Sequence, residues 1–208
     1  VFIPVGINYD RTFEDRTQLL ALSDAPPPRG LALAAGRTLR FVMRNVSLML
    51  RGRWYRFGYA CVNFGSPLSM RAYCQERGIR PRDMPREVRF LEVERLAGRL
   101  MDAVGKVIPV LPVSMLAAVF LRDPGARRSE LEIKGEVLGL IRDLGTAGAH
   151  VYIPRADHDY AVTVGLRMLT LRKLVAEEEG LYCPRREELP LLSYYANSIR
   201  HFLPAPET

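Results

Sequence analysis

The sequence predicts an α/β chain: a short strand-bearing part first, then a mostly helical part with one small β-hairpin. Three observations carry this. The opening, VFIPVGINYD, is an apolar run that passes straight into charge, which reads as a buried strand leading into a polar loop. From residue 86 onward, apolar residues recur at helical spacing through EVERLAGRLMDAVGKV, 112–122, 129–144 and about 156–172. Between the two parts lies RGIRPRDMPRE, where two prolines sit in dense charge; it marks a boundary at 78–88 and divides the chain into 1–78 and 86–208.

Residues 1–9 are the first strand, and 12–24 a short helix or loop closed by APPPRG, which no helix or sheet interior tolerates. RTLRFVMRNVSLMLR, 37–51, reads as an amphipathic helix. Arg37, Arg40, Arg44 and Arg51 share one sector, opposite Leu39, Val42, Met43, Val46, Met49 and Leu50. FGYACVNF, 57–64, is a second strand ending at a Gly-Ser-Pro turn. VIPVLPVSMLAAVFL, 107–121, is shorter than the roughly 20 residues a spanning helix needs. It is expected to be a buried helix beginning near Pro112. KLVAEEEGLYCP suggests a hairpin around Gly180, and LPLLSYYANSIRHFL a closing amphipathic helix.

Hydrophobic content of 48% and charged content of 25% fit a globular protein and exclude wholesale disorder. Cys61, Cys74 and Cys183 form neither a disulfide framework nor a metal-ligand pattern, which points to a reducing compartment. His150, His158 and His201 lack partners at ligand spacing, and His158 between two aspartates reads as a solvated helix start; no metal or cofactor is expected. From Ala25 to Gln75 there are eight arginines and no Asp, Glu or Lys. Guanidinium groups give planar, bidentate donors, so this window points to an anionic partner: nucleic acid, a phospholipid surface or a phosphorylated metabolite. Arg37, Arg40, Arg44 and Trp54 are the candidates for an anionic membrane surface.

The opening also carries a resemblance. IPVGINYDRTFED resembles the fourth conserved block of the glycerol-3-phosphate acyltransferase family, through Ile3, Pro4, Val5, Tyr9, Asp10 and Glu14. YACVNFGSPLSMRAY is similar to the strand that follows it there, through Val62, Asn63, Phe64, Gly65 and Pro67. LPLLSYYANSIRHFL is similar to the family's C-terminal helix, through Tyr194, Tyr195, Asn197, Ile199 and His201. The resemblance implies acyl transfer from acyl-CoA or acyl-carrier protein to a hydroxyl of glycerol phosphate. A His-x4-Asp motif would supply the base and its orienting acid. Five residues beyond the three histidines stand Arg155, Thr163 and Pro206, so the motif is absent and no catalytic residue is assigned.

The expectation is therefore that the catalytic half lies ahead of Val1 and that this chain alone is inactive. Residues 1–78 would be the C-terminal end of an α/β acyltransferase domain, and 86–208 a helical accessory domain on the cytoplasmic face of the membrane. Arg51, Arg53 and Arg56 are the candidates for substrate phosphate. One stretch departs from the family: GLALAAGRTLRFVMRN stands where it carries Lys and Glu, which leaves the acyl donor open.

Two alternatives come from other classes. Helices 129–144 and 156–172 with the hairpin follow the order of a winged-helix nucleic-acid-binding module. Between Ser129 and Glu187, however, ten acids oppose eight bases, and Glu177, Glu178 and Glu179 occupy the wing. Affinity for nucleic acid depends on neutralising phosphates, so no nucleic-acid partner is expected. A non-enzymatic membrane-surface module would explain the arginines but not the opening or closing motifs.

Overall fold

The computed structural model describes residues 1–12, 15–22, 43 and 58–204. It is a mixture of helix and small antiparallel sheets, and mostly helix. Val1–Asp10 and Tyr59–Thr208 form one compact unit, and Arg11–Gly58 another. The second unit is described over helix α1 (Asp15–Leu22), where a helix or loop was expected. The amphipathic helix expected over 37–51, with its arginine stripe, lies outside the described residues except for Met43, which is helical.

Strand β1 (Val5–Tyr9) pairs antiparallel with β2 (Ala60–Phe64), Val5 opposite Phe64 and Tyr9 opposite Ala60. The Gly-Ser-Pro segment expected to turn the chain does not. Gly65 N donates to Pro4 O at 2.8 Å, and Leu68 then exchanges both backbone bonds with Phe2. Three residues on one strand thus face two on the other, a bulge that extends the pairing past β2. Pro4 has no N–H to give, and the bulge begins opposite it.

Helix α2 (Met70–Arg77) is opened by Ser69, whose Oγ accepts from Ala72 N, and closed by Gly78 in the left-handed region at φ 63°. Helix α3 (Arg86–Val107) runs 22 residues and buries only Glu92 and Val107. The apolar run then forms helix α4 (Pro112–Arg122), with Pro112 in its first turn and Pro112–Phe120 all buried. A helix apolar on every side must be covered on every side. Helices α5 (Glu130–Thr146), α6 (His158–Leu171) and α7 (Leu189–Asn197) all pack on it. Among the described residues no helix is long and apolar enough to cross a membrane.

Strand β3 (Arg128–Ser129) leads into α5, which Ser129 and Glu132 open with a reciprocal capping box. Strands β4 (Val175–Glu178) and β5 (Leu181–Pro184) follow α6, in the sheet order β3-β5-β4. Their two-residue turn puts Glu179 at φ 52° and Gly180 at φ 78°, the pair of positive angles a tight hairpin needs. The helix, helix and hairpin expected over this stretch are therefore present in that order. The hairpin carries the three glutamates, with Glu178 paired to Arg127 at 2.9 Å.

Candidate functional site

The fourth-block residues divide by parity. Pro4, Gly6, Asn8 and Asp10 are buried, whereas Ile3, Val5, Ile7 and Tyr9 are exposed. The opening strand was expected to be buried; only the face with the small and polar residues is. It lies against the junction between α3 and α4. A Cβ on Gly6 would overlap the backbone of Val107 and Ile108, so only glycine allows this approach. Asn8 Nδ2 donates to Pro109 O at 2.8 Å and to Ser198 Oγ at 3.2 Å, while its Oδ1 accepts from Tyr9 N.

Asp10 completes the set. Its Oδ1 accepts from Val113 N and its Oδ2 from Tyr59 N, both at 3.0 Å. The first bond satisfies an orphan donor in the first turn of α4, where a carboxylate also suits the helix dipole. Burial pushes the Asp10 carboxyl up to about 6, against the opposing pull of those two N–H groups. The nearby Cys61 thiol is raised by its own burial and by the Asp10 charge. Asn63, facing inward beside Gly6, leaves its Nδ2 buried without a hydrogen-bond partner among the described residues.

Tyr59 links this anchor to a ring cluster. Its ring meets that of Tyr152 at 5.2 Å between centroids, and the Arg155 guanidinium lies 4.2 Å from the centre of Tyr160. Burial raises the Tyr59 hydroxyl, as do its hydrogen bond to Tyr160 and the charges of Tyr160 and Tyr152; Arg155 opposes them. Arg155 and Ala156 both take positive φ, 59° and 54°. Two non-glycine residues in succession there are unusual.

His150 O accepts from Val110 N, His158 is the exposed first residue of α6, and His201 Nε2 lies 2.8 Å from Gly105 O. Asp157 caps α6 through Tyr160 N, in line with the solvated helix start expected at His158. Among the described residues no group of three or more His, Cys, Asp or Glu is placed to hold a metal. Glu14, Arg37, Arg40, Arg44, Arg51, Arg53, Trp54 and Arg56 lie outside the described residues.

Local pattern did not signal Gly6, Asn8 or Glu92. Glu92 accepts from Arg77 at 3.0 Å and Tyr73 at 3.2 Å, and also pairs with Arg95, joining α2 to α3. Alternation of Pro, Gly, Asn and Asp at the even positions of the opening was the available clue.

The sequence profile of the glycerol-3-phosphate acyltransferase C-terminal region matches residues 45–206. The chain belongs to that family. Proteins named glycerol-3-phosphate acyltransferase from Pseudomonas entomophila, Ectopseudomonas mendocina and Pseudomonas putida are 24%, 26% and 25% identical to it. Each alignment covers 99% of this chain and 24% of the relative. The chain thus spans about a quarter of the length of the curated relatives it matches. In this acyltransferase C-terminal region the anchored face of β1 belongs to the stretch that resembles the fourth block.

Proposed function

We propose that this chain is the C-terminal region of a glycerolipid O-acyltransferase. The whole enzyme moves an acyl chain from acyl-CoA or acyl-carrier protein to a hydroxyl of glycerol phosphate, in phospholipid synthesis. The observation that carries the reading is the family match over residues 45–206. Residues 1–78 complete the α/β catalytic domain, and 86–208 form the helical accessory domain. The base and its orienting acid come from the part that precedes this region. Arg51, Arg53 and Arg56 contact the substrate phosphate. Arg37, Arg40, Arg44 and Trp54 meet an anionic membrane surface at the cytoplasmic face, and the protein needs no metal or cofactor beyond the acyl donor.

The test is acyl transfer to glycerol 3-phosphate, measured on the longer polypeptide carrying this region and on the 208-residue chain alone. Transfer by the former and none by the latter is expected. Turnover by the short chain that is lost in His150→Ala, His158→Ala or His201→Ala would overturn the division of labour. Vesicle binding tests the surface: replacing Arg37, Arg40 and Arg44 by Gln should weaken binding to anionic vesicles by roughly two orders of magnitude.

A further inference from the structure

Between α2 and the start of α3 the chain builds a basic corner around an apolar cleft. Gly78 ends α2, and Arg80 to Asp83 then form a turn, with Asp83 N donating to Arg80 O at 3.0 Å. Pro81 stands second in that turn, where its fixed φ suits it, and Pro85 precedes α3. The cleft measures about 30 Å³. Met70 lines it from α2, Ile79, Pro81 and Met84 from the connection, and Val93 and Leu96 from α3, so its wall is largely apolar. That is room for the end of one aliphatic side chain.

The rim is positive. Arg80, Arg82, Arg86 and Arg89 are all exposed, and none makes an ion pair among the described residues. Arg89 lines the cleft and donates to Met84 O at 3.0 Å, and the Arg86 guanidinium lies 5.6 Å from the centre of the Phe90 ring. Nearby Arg77 and Arg95 differ, being held by Glu92, and Arg99 is held by Glu76. Glu87 and Glu94 do not offset the rim. At about 100° per residue they stand roughly 150–170° round α3 from the side that carries Arg89, Val93 and Leu96. Arg86 and Arg89 also sit in the first turn of α3, where the helix dipole disfavours a cation. The helix alone loses by this placement, and a partner that brings negative charge gains by it.

We propose that this corner docks an acidic peptide segment of another protein, with its carboxylates on the four arginines and one aliphatic side chain in the cleft. Carboxylates meet guanidinium groups in planar pairs, which orient a segment as well as attract it. The cleft favours a peptide over a lipid surface: a hollow one side chain wide takes a projecting anchor, whereas a bilayer spreads its charge over a plane. Pro81 and Pro85 fix the backbone that carries Arg80, Arg82 and Arg86, so little backbone ordering is left to binding.

Fluorescence anisotropy tests this on the longer polypeptide carrying this region, with a synthetic peptide of Asp and Glu residues around a single Leu. The peptide should bind, and more tightly at low salt than at high. Arg80→Glu with Arg82→Glu should weaken binding by about tenfold or more. The melting temperature should stay unchanged, since neither side chain has a partner among the described residues. Val93→Trp fills the cleft from α3 without touching the charge, and should weaken binding as much. Replacing the peptide's Leu by Gly should cost about tenfold as well. A peptide with Lys in place of its acids should not bind. No binding by the acidic peptide, or binding indifferent to both sets of substitutions, would overturn the proposal. So would binding to phosphatidylglycerol vesicles that needs Arg80 and Arg82 when peptide binding does not, which would assign the corner to a lipid surface.

Discussion

Asp10 and Val113 are joined across 103 residues of sequence by one hydrogen bond, the Asp10 carboxylate accepting the Val113 N–H in the first turn of α4. The bond makes the opening strand part of the helical core. It also gives an acceptor to one of the orphan N–H groups that open α4. Asp10→Ala leaves that N–H and the Tyr59 N–H without their acceptor. Unmet buried donors and a lost helix cap each cost about 1–2 kcal/mol. A loss of about 2 kcal/mol in urea unfolding near pH 5 is therefore expected. A change under about 0.5 kcal/mol would mean that water replaces the carboxylate without penalty.

Two glycines give an opposed pair. Gly6→Ala drives a methyl into the Val107 carbonyl, which is backbone and cannot swing aside. Overpacking of this kind costs about 1–3 kcal/mol, and β1 should fray first. A methyl added at Gly98, in the middle of α3, would meet nothing within 4 Å. Gly98→Ala should stabilise by about 0.5–1 kcal/mol through helix propensity. Thermal melts of the two variants should move in opposite directions; equal shifts would remove Gly6 from its special place.

These contrasts show what was legible in the sequence. The apolar opening announced a strand, but not which face would be buried. Asn8 and Asp10 face inward because their partners, Pro109 and Val113, lie a hundred residues away, beyond any local pattern. The run around Met115 announced a buried helix, since only a helix covered on all sides can be apolar throughout. Glu179-Gly180 announced its hairpin through turn chemistry alone. Glu92 carried no signal of its own in the helical stretch EVERLAGRLMDAVGKV. Its burial depends on Tyr73 and Arg77 arriving from α2, a tertiary event. The arginines at 37–56 that pointed to an anionic partner lie outside the described residues.

The loop before α6 stores strain in Arg155 and Ala156. A left-handed backbone costs a non-glycine residue roughly 1 kcal/mol. Ala156 is exposed, so Ala156→Gly should stabilise by about that amount. Arg155→Gly gains the same relief and loses the stacking of its guanidinium on Tyr160, worth about 0.5–1 kcal/mol at an exposed site. Its net effect should lie near zero. Chemical denaturation of both variants decides this, and a destabilising Ala156→Gly would show that the strain assignment is wrong.

Asp10 and Glu92 bend the pH dependence in opposite senses. Burial raises the Asp10 carboxyl from 3.8 to about 6, so the folded state holds this proton more tightly than the unfolded chain. Its contribution is complete below about pH 4 and is lost as pH rises through 6, a change on the order of 3 kcal/mol. Glu92 behaves inversely. The Arg77 bond, with help from Arg95 and Tyr73, holds its carboxyl down at about 2 against 4.5 unfolded. Its contribution is complete above pH 4.5 and is lost as pH falls toward 2. From these two groups the melting temperature should peak between roughly pH 4 and 5. Asp10→Asn should flatten the limb above the peak, and Glu92→Gln the limb below it. A series of melts from about pH 2.5 to 7.5 reads both limbs at once. An upper limb that persists in Asp10→Asn would assign the titration near pH 6 to another group and take the proton from the anchor of β1.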